Sequence, residues 1–250
     1  MKKEKKRIVL ENIIVTDYAA EGKALAKIDG KVIFISGAVP GDVVDIFLTK
    51  NKKDWAEARV IEIKQPSTER QLPFCKHFGL CGGCKWQMLP YAKQLQYKQQ
   101  EVEQNLKRIG KVDLPELMPI VGADDDKHYR NKLEFSFSNK KWLTAEQIQT
   151  EAEVANKNAL GFHIPGRFDK VLDIDNCYLQ PEPSNSIRNA VRDYALKNKL
   201  SFFDIRNKQG LLRTLLIRTS STGEVMVVVS VFEWLEKELF GLLDFLKTNF

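Results

Sequence analysis

No stretch of this chain approaches the run of about 20 apolar residues that a membrane-spanning helix requires. The best candidate, EVMVVVSVF at 224–232, has the length of a buried strand. The N-terminal MKKEKKRIVLENIIV is charged and lacks the apolar core and small-residue cleavage site of a secretory signal. Both absences point to the cytoplasm. Cysteine is scarce as well, with four thiols in 250 residues. In a reducing compartment clustered thiols serve as metal ligands or catalysts more often than as disulfides. Internal repeats and low-complexity tracts are also missing. What is present is an ordinary globular balance, 43% hydrophobic and 29% charged, with a formal net charge of +6. That composition supplies a sizeable core, and the positive balance is compatible with a polyanionic partner.

The first 66 residues read as five short strands, at 7–15, 22–30, 31–39, 42–50 and 55–64, rich in Val and Ile and alternating with a period near two. Glycines and the Pro40–Gly41 pair separate them. This spacing predicts a small five-stranded β-barrel of the OB kind. QPSTERQLP at 65–73 reads as a linker. Residues 67–250 then read as an α+β domain with an antiparallel sheet, so the fold class is β plus α+β. Its predicted elements are a helix over Tyr91–Ile109 stopped by Gly110, a strand at 132–138, a hairpin leading to Cys177, a helix capped by Ser184, a hairpin over 211–232, and an amphipathic helix to Phe250. The polar stretch from Leu143 to Ala159 reads as a helical insertion or a mobile loop.

Three of the four cysteines fall within ten residues. Cys75, Cys81 and Cys84 stand as C-x5-C-x2-C, and Cys177 lies far downstream. A structural zinc site usually shows two close cysteine pairs, or a cysteine pair and a histidine pair. Three thiols in a loop with one distant partner suit an iron–sulfur cubane, which takes one thiolate at each iron. Gly82 and Gly83 suit a backbone that curls closely around a bulky group. Zinc remains the alternative on spacing alone. A redox C-x-x-C pair is disfavoured because no βαβ thioredoxin pattern surrounds it.

FCKHFGLCGGCKWQ, the later HYRNKLEF and DIDNCYL resemble the RNA uracil-5-methyltransferases, which methylate C5 of uridine in 23S rRNA and tRNA. The resemblance runs from about Ile8 to Phe250 and likens the N-terminal barrel to a TRAM domain, an RNA-binding module. It implies that Cys75, Cys81, Cys84 and Cys177 ligate a [4Fe–4S] cluster, one liable to loss or to replacement by zinc. It implies RNA as partner, ribosomal or transfer, and neither DNA nor a membrane. Arg130, Asn131 and Lys132 of the YRNK string would face that RNA, with surface salt bridges as their alternative role. On the barrel, Lys50, Lys52, Lys53 and Trp55 are candidates for phosphate contact and base stacking, whereas Phe34 reads as core.

The chain departs from the family pattern in one large respect. It has no G-x-G strand-to-helix turn for S-adenosylmethionine, no Asp-Pro-Pro motif, and no fifth cysteine to attack C6 of uracil. The expectation is therefore the N-terminal, RNA-recognising part of a longer methyltransferase, inactive by itself, with S-adenosylmethionine bound only by the parent protein. The helix at 91–110 would pack on the missing catalytic domain, and its bared face would favour self-association. The competing expectation is a non-catalytic RNA-binding protein with a structural zinc site.

Overall fold

The computed structural model describes residues 8–144, 147–148 and 156–250. Most of the central part of the expected insertion at 143–159 lies outside the described residues. The chain divides into two compact units, Met1–Phe74 with Cys84–Asp124, and Cys75–Gly83 with Asp125–Phe250.

In the first unit, β1 (Val9–Ile14), β2 (Asp17–Tyr18), β3 (Ala24–Ile28), β4 (Lys31–Ser36), β5 (Val43–Asn51) and β6 (Trp55–Gln65) form one sheet. Its order is β1-β5-β6-β4-β3-β2, and only β4 and β6 run parallel. The expected five-stranded barrel is corrected in two respects. There are six strands, because a two-residue β2 is too short to show any alternation in sequence. In addition, no ladder closes β1 onto β2 among the described residues. These edge strands are instead successive in the chain, joined by Val15 and Thr16, whose amides donate to Asp42 O at 2.9 Å and Leu25 O at 2.8 Å.

Alternation places Ala24, Ala26, Ile33, Ile35, Val44, Ile46, Ala56 and Ala58 on the inner face, where they form one buried cluster with Val15 and Ala38. Small and branched side chains together suit a strongly curved sheet. Each buried isoleucine contributes about 1.5–3 kcal/mol. Phe34 falls on the opposite face from Ile33 and Ile35, as period two requires, and is half-buried instead of core.

Asp42, fully buried, ties the segment after β6 to the sheet. Arg70 grips its two oxygens at 2.7 and 2.6 Å, and the amides of Ser67 and Val39 donate to them at 2.8 and 2.7 Å. The predicted linker is therefore bound to Asp42 through Ser67 and Arg70. Further along, α1 (Tyr91–Gln104) continues as a π-helical turn over Asn105–Ile109. Tyr97 meets the Tyr18 ring edge-on at 4.8 Å and donates to Glu69 at 3.2 Å, while Gln100 donates to the Asp17 carboxylate. Burial beside Glu69 pushes the Tyr97 hydroxyl up to about 12. One side of α1 is thus held by its own unit, and on the other side Val102 and Ile109 stay exposed.

The second unit is built on an antiparallel sheet, ordered β11-β10-β7-β8-β9. Its strands are β7 (Lys132–Ser138), β8 (Ala159–Ile164), β9 (Arg167–Asp173), β10 (Leu212–Thr219) and β11 (Val225–Val231), joined by helices α2 (Ser184–Lys197) and α3 (Glu236–Asn249). Phe135 and Phe137, predicted as core, are buried with Leu160, Leu215, Ile187, Val191 and Leu242. At Gly161 a Cβ would stand 2.0 Å from Leu172 O, so only glycine admits the approach of β9. Ser184 does not cap α2. Its hydroxyl donates to Gln180 Oε1, and Glu182 receives the Ser186 amide at 3.0 Å instead.

Asp42→Ala would leave two amides without their acceptor and the Arg70 guanidinium with the Gly37 carbonyl in place of a carboxylate. The expected result is a loss of about 3–5 kcal/mol, read from the midpoint of urea unfolding with an unchanged slope.

Candidate functional site

The second unit brings two segments of thiol-bearing chain together. Cys75 and Cys81 belong to a tight loop in which the Phe78 amide donates to Cys75 O at 3.0 Å and the Cys81 amide to His77 O at 2.9 Å. Lys76 joins this loop to the segment before Cys177 through Asp175, at 2.6 Å, and that pairing holds the Asp175 carboxyl below its usual range. The Gly83 amide points at Cys81 Sγ from 3.4 Å, as amides that stabilise thiolates do. A Cβ at Gly82 would press on Pro165 at 3.2 Å. The glycines therefore serve close approach and sulfur hydrogen bonding, and neither adopts the left-handed conformation.

Cys177 is buried and held by a reciprocal clamp. Its amide donates to Asn185 Oδ1 at 2.8 Å, and Asn185 Nδ2 donates back to Cys177 O at 3.2 Å. Asn185 Oδ1 also accepts from Arg188 Nη1 at 2.8 Å. Arg188 is fully buried, with its guanidinium 5.2 Å above the Phe135 ring. Burial pushes its pKa down to about 10, with the Cys177 thiol acting in the opposite sense. Neither Asn185 nor Arg188 stands out in the sequence by motif. A signal exists nonetheless, because Ser184, Ile187, Arg188, Val191 and Ala195 form the buried stripe of α2, and a charged residue on an apolar stripe asks for a partner.

All four cysteines are in the thiol form. Cys84 lies in the first unit, one peptide bond beyond Gly83, and is half-buried. Among the described residues no three His, Cys, Asp or Glu side chains form a group able to hold a metal ion. A mononuclear zinc site takes ligands that converge on one point. A cubane makes a different demand, since its thiolates surround a body and each binds its own iron. The donor set, the amide aimed at Cys81, and the buried guanidinium near Cys177 suit such an anionic group.

Lys85 donates to Glu21 O at 2.9 Å and Trp86 Nε1 to Gly22 O at 3.2 Å, so both side chains are occupied within the first unit.

The predicted nucleic-acid residues fall into two sets, one in each unit. Arg130, Asn131 and Lys132 are exposed where the chain enters β7. Their backbone is fixed, with Arg130 N–H donating to Leu179 O at 2.8 Å and Asn131 O accepting from Thr219 at 3.0 Å. Arg130 and Lys132 enter no ion pair among the described residues. In the first unit, Lys50 Nζ lies 4.5 Å over the Trp55 ring, and Phe34 meets Trp55 edge-on at 6.3 Å. Both rings line a hollow of about 530 Å³ with Val32, Lys23 and Glu57. Lys52 and Lys53 are exposed on the turn between β5 and β6. A cation above an aromatic ring beside a hollow can stack a base and neutralise its phosphate.

Asn185→Ala would leave the buried Cys177 amide unsatisfied and remove one acceptor from Arg188. A loss of about 1–3 kcal/mol is expected, together with faster reaction of Cys177 with a thiol reagent in the metal-free protein.

Residues 10–61 match the TRAM domain family. An uncharacterized RNA methyltransferase of Bacteroides thetaiotaomicron is 54% identical over 235 residues, covering 93% of this chain and 52% of that protein. One from Porphyromonas gingivalis is 49% identical, covering 87% and 48%. One from Chlorobaculum tepidum is 40% identical, covering 92% and 48%. The chain thus spans about half the length of the curated relatives it matches. Among solved structures, the Pyrococcus abyssi tRNA (uracil-54, C5)-methyltransferase in complex with S-adenosyl-L-homocysteine superposes with a TM-score of 0.60 at 21% identity, covering 93% of this chain and 48% of that one. At that identity the likeness establishes the fold. Residues 10–61 match the TRAM domain family, and nearly the whole chain is similar to about half of proteins named RNA methyltransferases.

Proposed function

We propose that this chain is the RNA-recognising, cluster-bearing part of an S-adenosylmethionine-dependent RNA uracil-5-methyltransferase of the cytoplasm. The observation that carries this reading is the similarity of nine-tenths of the chain to proteins named RNA methyltransferases, joined to a TRAM domain. The uracil-C5 assignment draws support from the resemblance of the cysteine and YRNK strings and from the function named for the Pyrococcus abyssi fold neighbour. No helix among the described residues is long and apolar enough to cross a membrane, which suits a partner met in the aqueous phase.

In this reading Arg130 and Lys132 neutralise phosphates, Asn131 pairs with a base edge, and Trp55 with Lys50, Lys52 and Lys53 stacks and holds a second stretch of RNA. Cys75, Cys81, Cys84 and Cys177 would hold a [4Fe–4S] cluster. Its contribution when bound is to cross-link the loop at 75–84 to the segment around Cys177, because methyl transfer needs no electron. Methylation at C5 needs a thiolate that adds to C6. The four thiols present are committed to the cluster, so that nucleophile is not among these 250 residues. Nor do they present a glycine-rich turn for the methyl donor, which is assigned to the parent protein. The RNA is proposed to be 23S rRNA, and tRNA is the second reading, favoured by the activity named for the fold neighbour. Self-association is proposed to run through the exposed side of α1.

Fluorescence anisotropy with uridine-bearing rRNA and tRNA fragments tests the RNA assignment. Trp55→Ala is expected to cost about 1–3 kcal/mol of binding. Arg130→Ala and Lys132→Ala are expected to weaken binding across sequences and to flatten the salt dependence by about 0.7–0.9 for each phosphate no longer neutralised. No methyl transfer is expected from the 250 residues alone. Equal binding by all three variants, or no binding at low salt, contradicts the reading.

A further inference from the structure

We propose that Arg188 is the buried counter-charge of an anionic iron–sulfur cluster, a positioning residue that governs how firmly the four thiols retain it and at what potential it is reduced. This rests on the cluster reading given above.

The inference starts from an unbalanced charge. Arg188 is 0% exposed, and a charge taken out of water demands an opposite charge or a complete set of acceptors. It has neither. Nη1 donates to Asn185 Oδ1 at 2.8 Å and Nη2 to Asn189 Oδ1 at 3.1 Å, both neutral amides. Nε has no partner. Asp173 and Asp175 act on it only at range, because they are committed elsewhere. Asp173 pairs with Lys141 at 2.9 Å and Arg192 at 3.4 Å, and Asp175 with Lys76 at 2.6 Å and Arg192 at 3.5 Å.

Glu182 also acts on Arg188, but its carboxylate is taken up by the Ser186 amide and hydroxyl, so the remaining anion within reach belongs to the thiols. Cys177 shares the Asn185 clamp with Arg188. A cubane ligated by four thiolates is a net anion, and its potential follows its charge environment. A second orphan points to the same place. Only three buried side-chain atoms lack a hydrogen-bond partner among the described residues. One is Arg188 Nε and another is His77 Nε2, on the loop between Cys75 and Cys81. One of the three orphaned atoms thus lies on the loop that carries Cys75 and Cys81, and Arg188 Nε lies on the helix whose Asn185 clamps Cys177. A purely structural role gives no reason for arginine here, since a neutral side chain of similar length would avoid the burial cost.

The test compares wild type with Arg188→Met, which removes the charge, and Arg188→Lys, which keeps it, each reconstituted anaerobically with iron and sulfide. Cluster loss to a chelator is expected to be at least tenfold faster in Arg188→Met and close to wild type in Arg188→Lys. At a poised electrode, one-electron reduction adds a negative charge to the cluster, so Arg188→Met is expected to shift the potential downward. The metal-free proteins supply the control. Metal-free Arg188→Met is expected to unfold at the same urea concentration as metal-free wild type, or at a higher one. Equal retention and potential in wild type and Arg188→Met overturns the counter-charge role and leaves the cluster reading standing. Destabilisation of metal-free Arg188→Met overturns it too, because the arginine is then structural. A wild-type chain that takes up no iron or sulfide overturns the reading on which the proposal rests.

Discussion

A full positive charge at zero exposure is the condition that the second unit is arranged around. Arg188 lies on the face of α2 that otherwise buries Ile187, Val191 and Ala195, so it cannot reach water without unseating the helix. The neighbouring groups follow from that. Asn185 holds two of its obligations at once, to the guanidinium and to the Cys177 amide. The Phe135 ring offers its face, and the nearby carboxylates are drawn off by Lys76, Lys141 and Arg192. An anion at the thiols, such as the proposed iron–sulfur cluster, would balance that charge.

The first unit meets a different constraint. Its curved sheet leaves the outer face to polar and aromatic side chains, and Asp42 binds Arg70 so that the chain leaving β6 is directed instead of free. Tyr18 and Tyr97 then settle one side of α1 on that unit. What remains outward is Trp55 with Lys50 above it, beside Phe34. Two separate surfaces, this one and the Arg130–Lys132 segment, carry positive charge on fixed backbone. In the proposed reading each of them contacts RNA phosphate and positions the protein on the RNA.

Much of this was legible in the sequence, for identifiable reasons. Period-two alternation revealed β3 to β6, and the KLEFSFS string placed Phe135 and Phe137 inward. The C-x5-C-x2-C spacing marked the loop without any knowledge of its fold. The sixth strand was hidden because Asp17–Tyr18 is too short to carry a period. Phe34 reads as core because VIFI looks uniformly apolar, although alternation with Ile33 and Ile35 already assigns it to the outer face. Ser184 stood where a cap is usual, but Glu182 took the task after Ser184 was drawn inward to Gln180. Arg188 is inconspicuous because one arginine among three charged residues in SNSIRNAVRDYAL differs from Arg192 and Asp193 only by its phase on the helix.

The iron–sulfur cluster proposed at the four thiols is tested most directly by iron, zinc and acid-labile sulfide in anaerobically purified protein with its visible spectrum. About four iron and four sulfide per chain with broad absorption near 400 nm are expected. One zinc per chain with no sulfide would contradict the account, and would leave the RNA-binding assignment to rest on the TRAM domain and the Arg130–Lys132 segment.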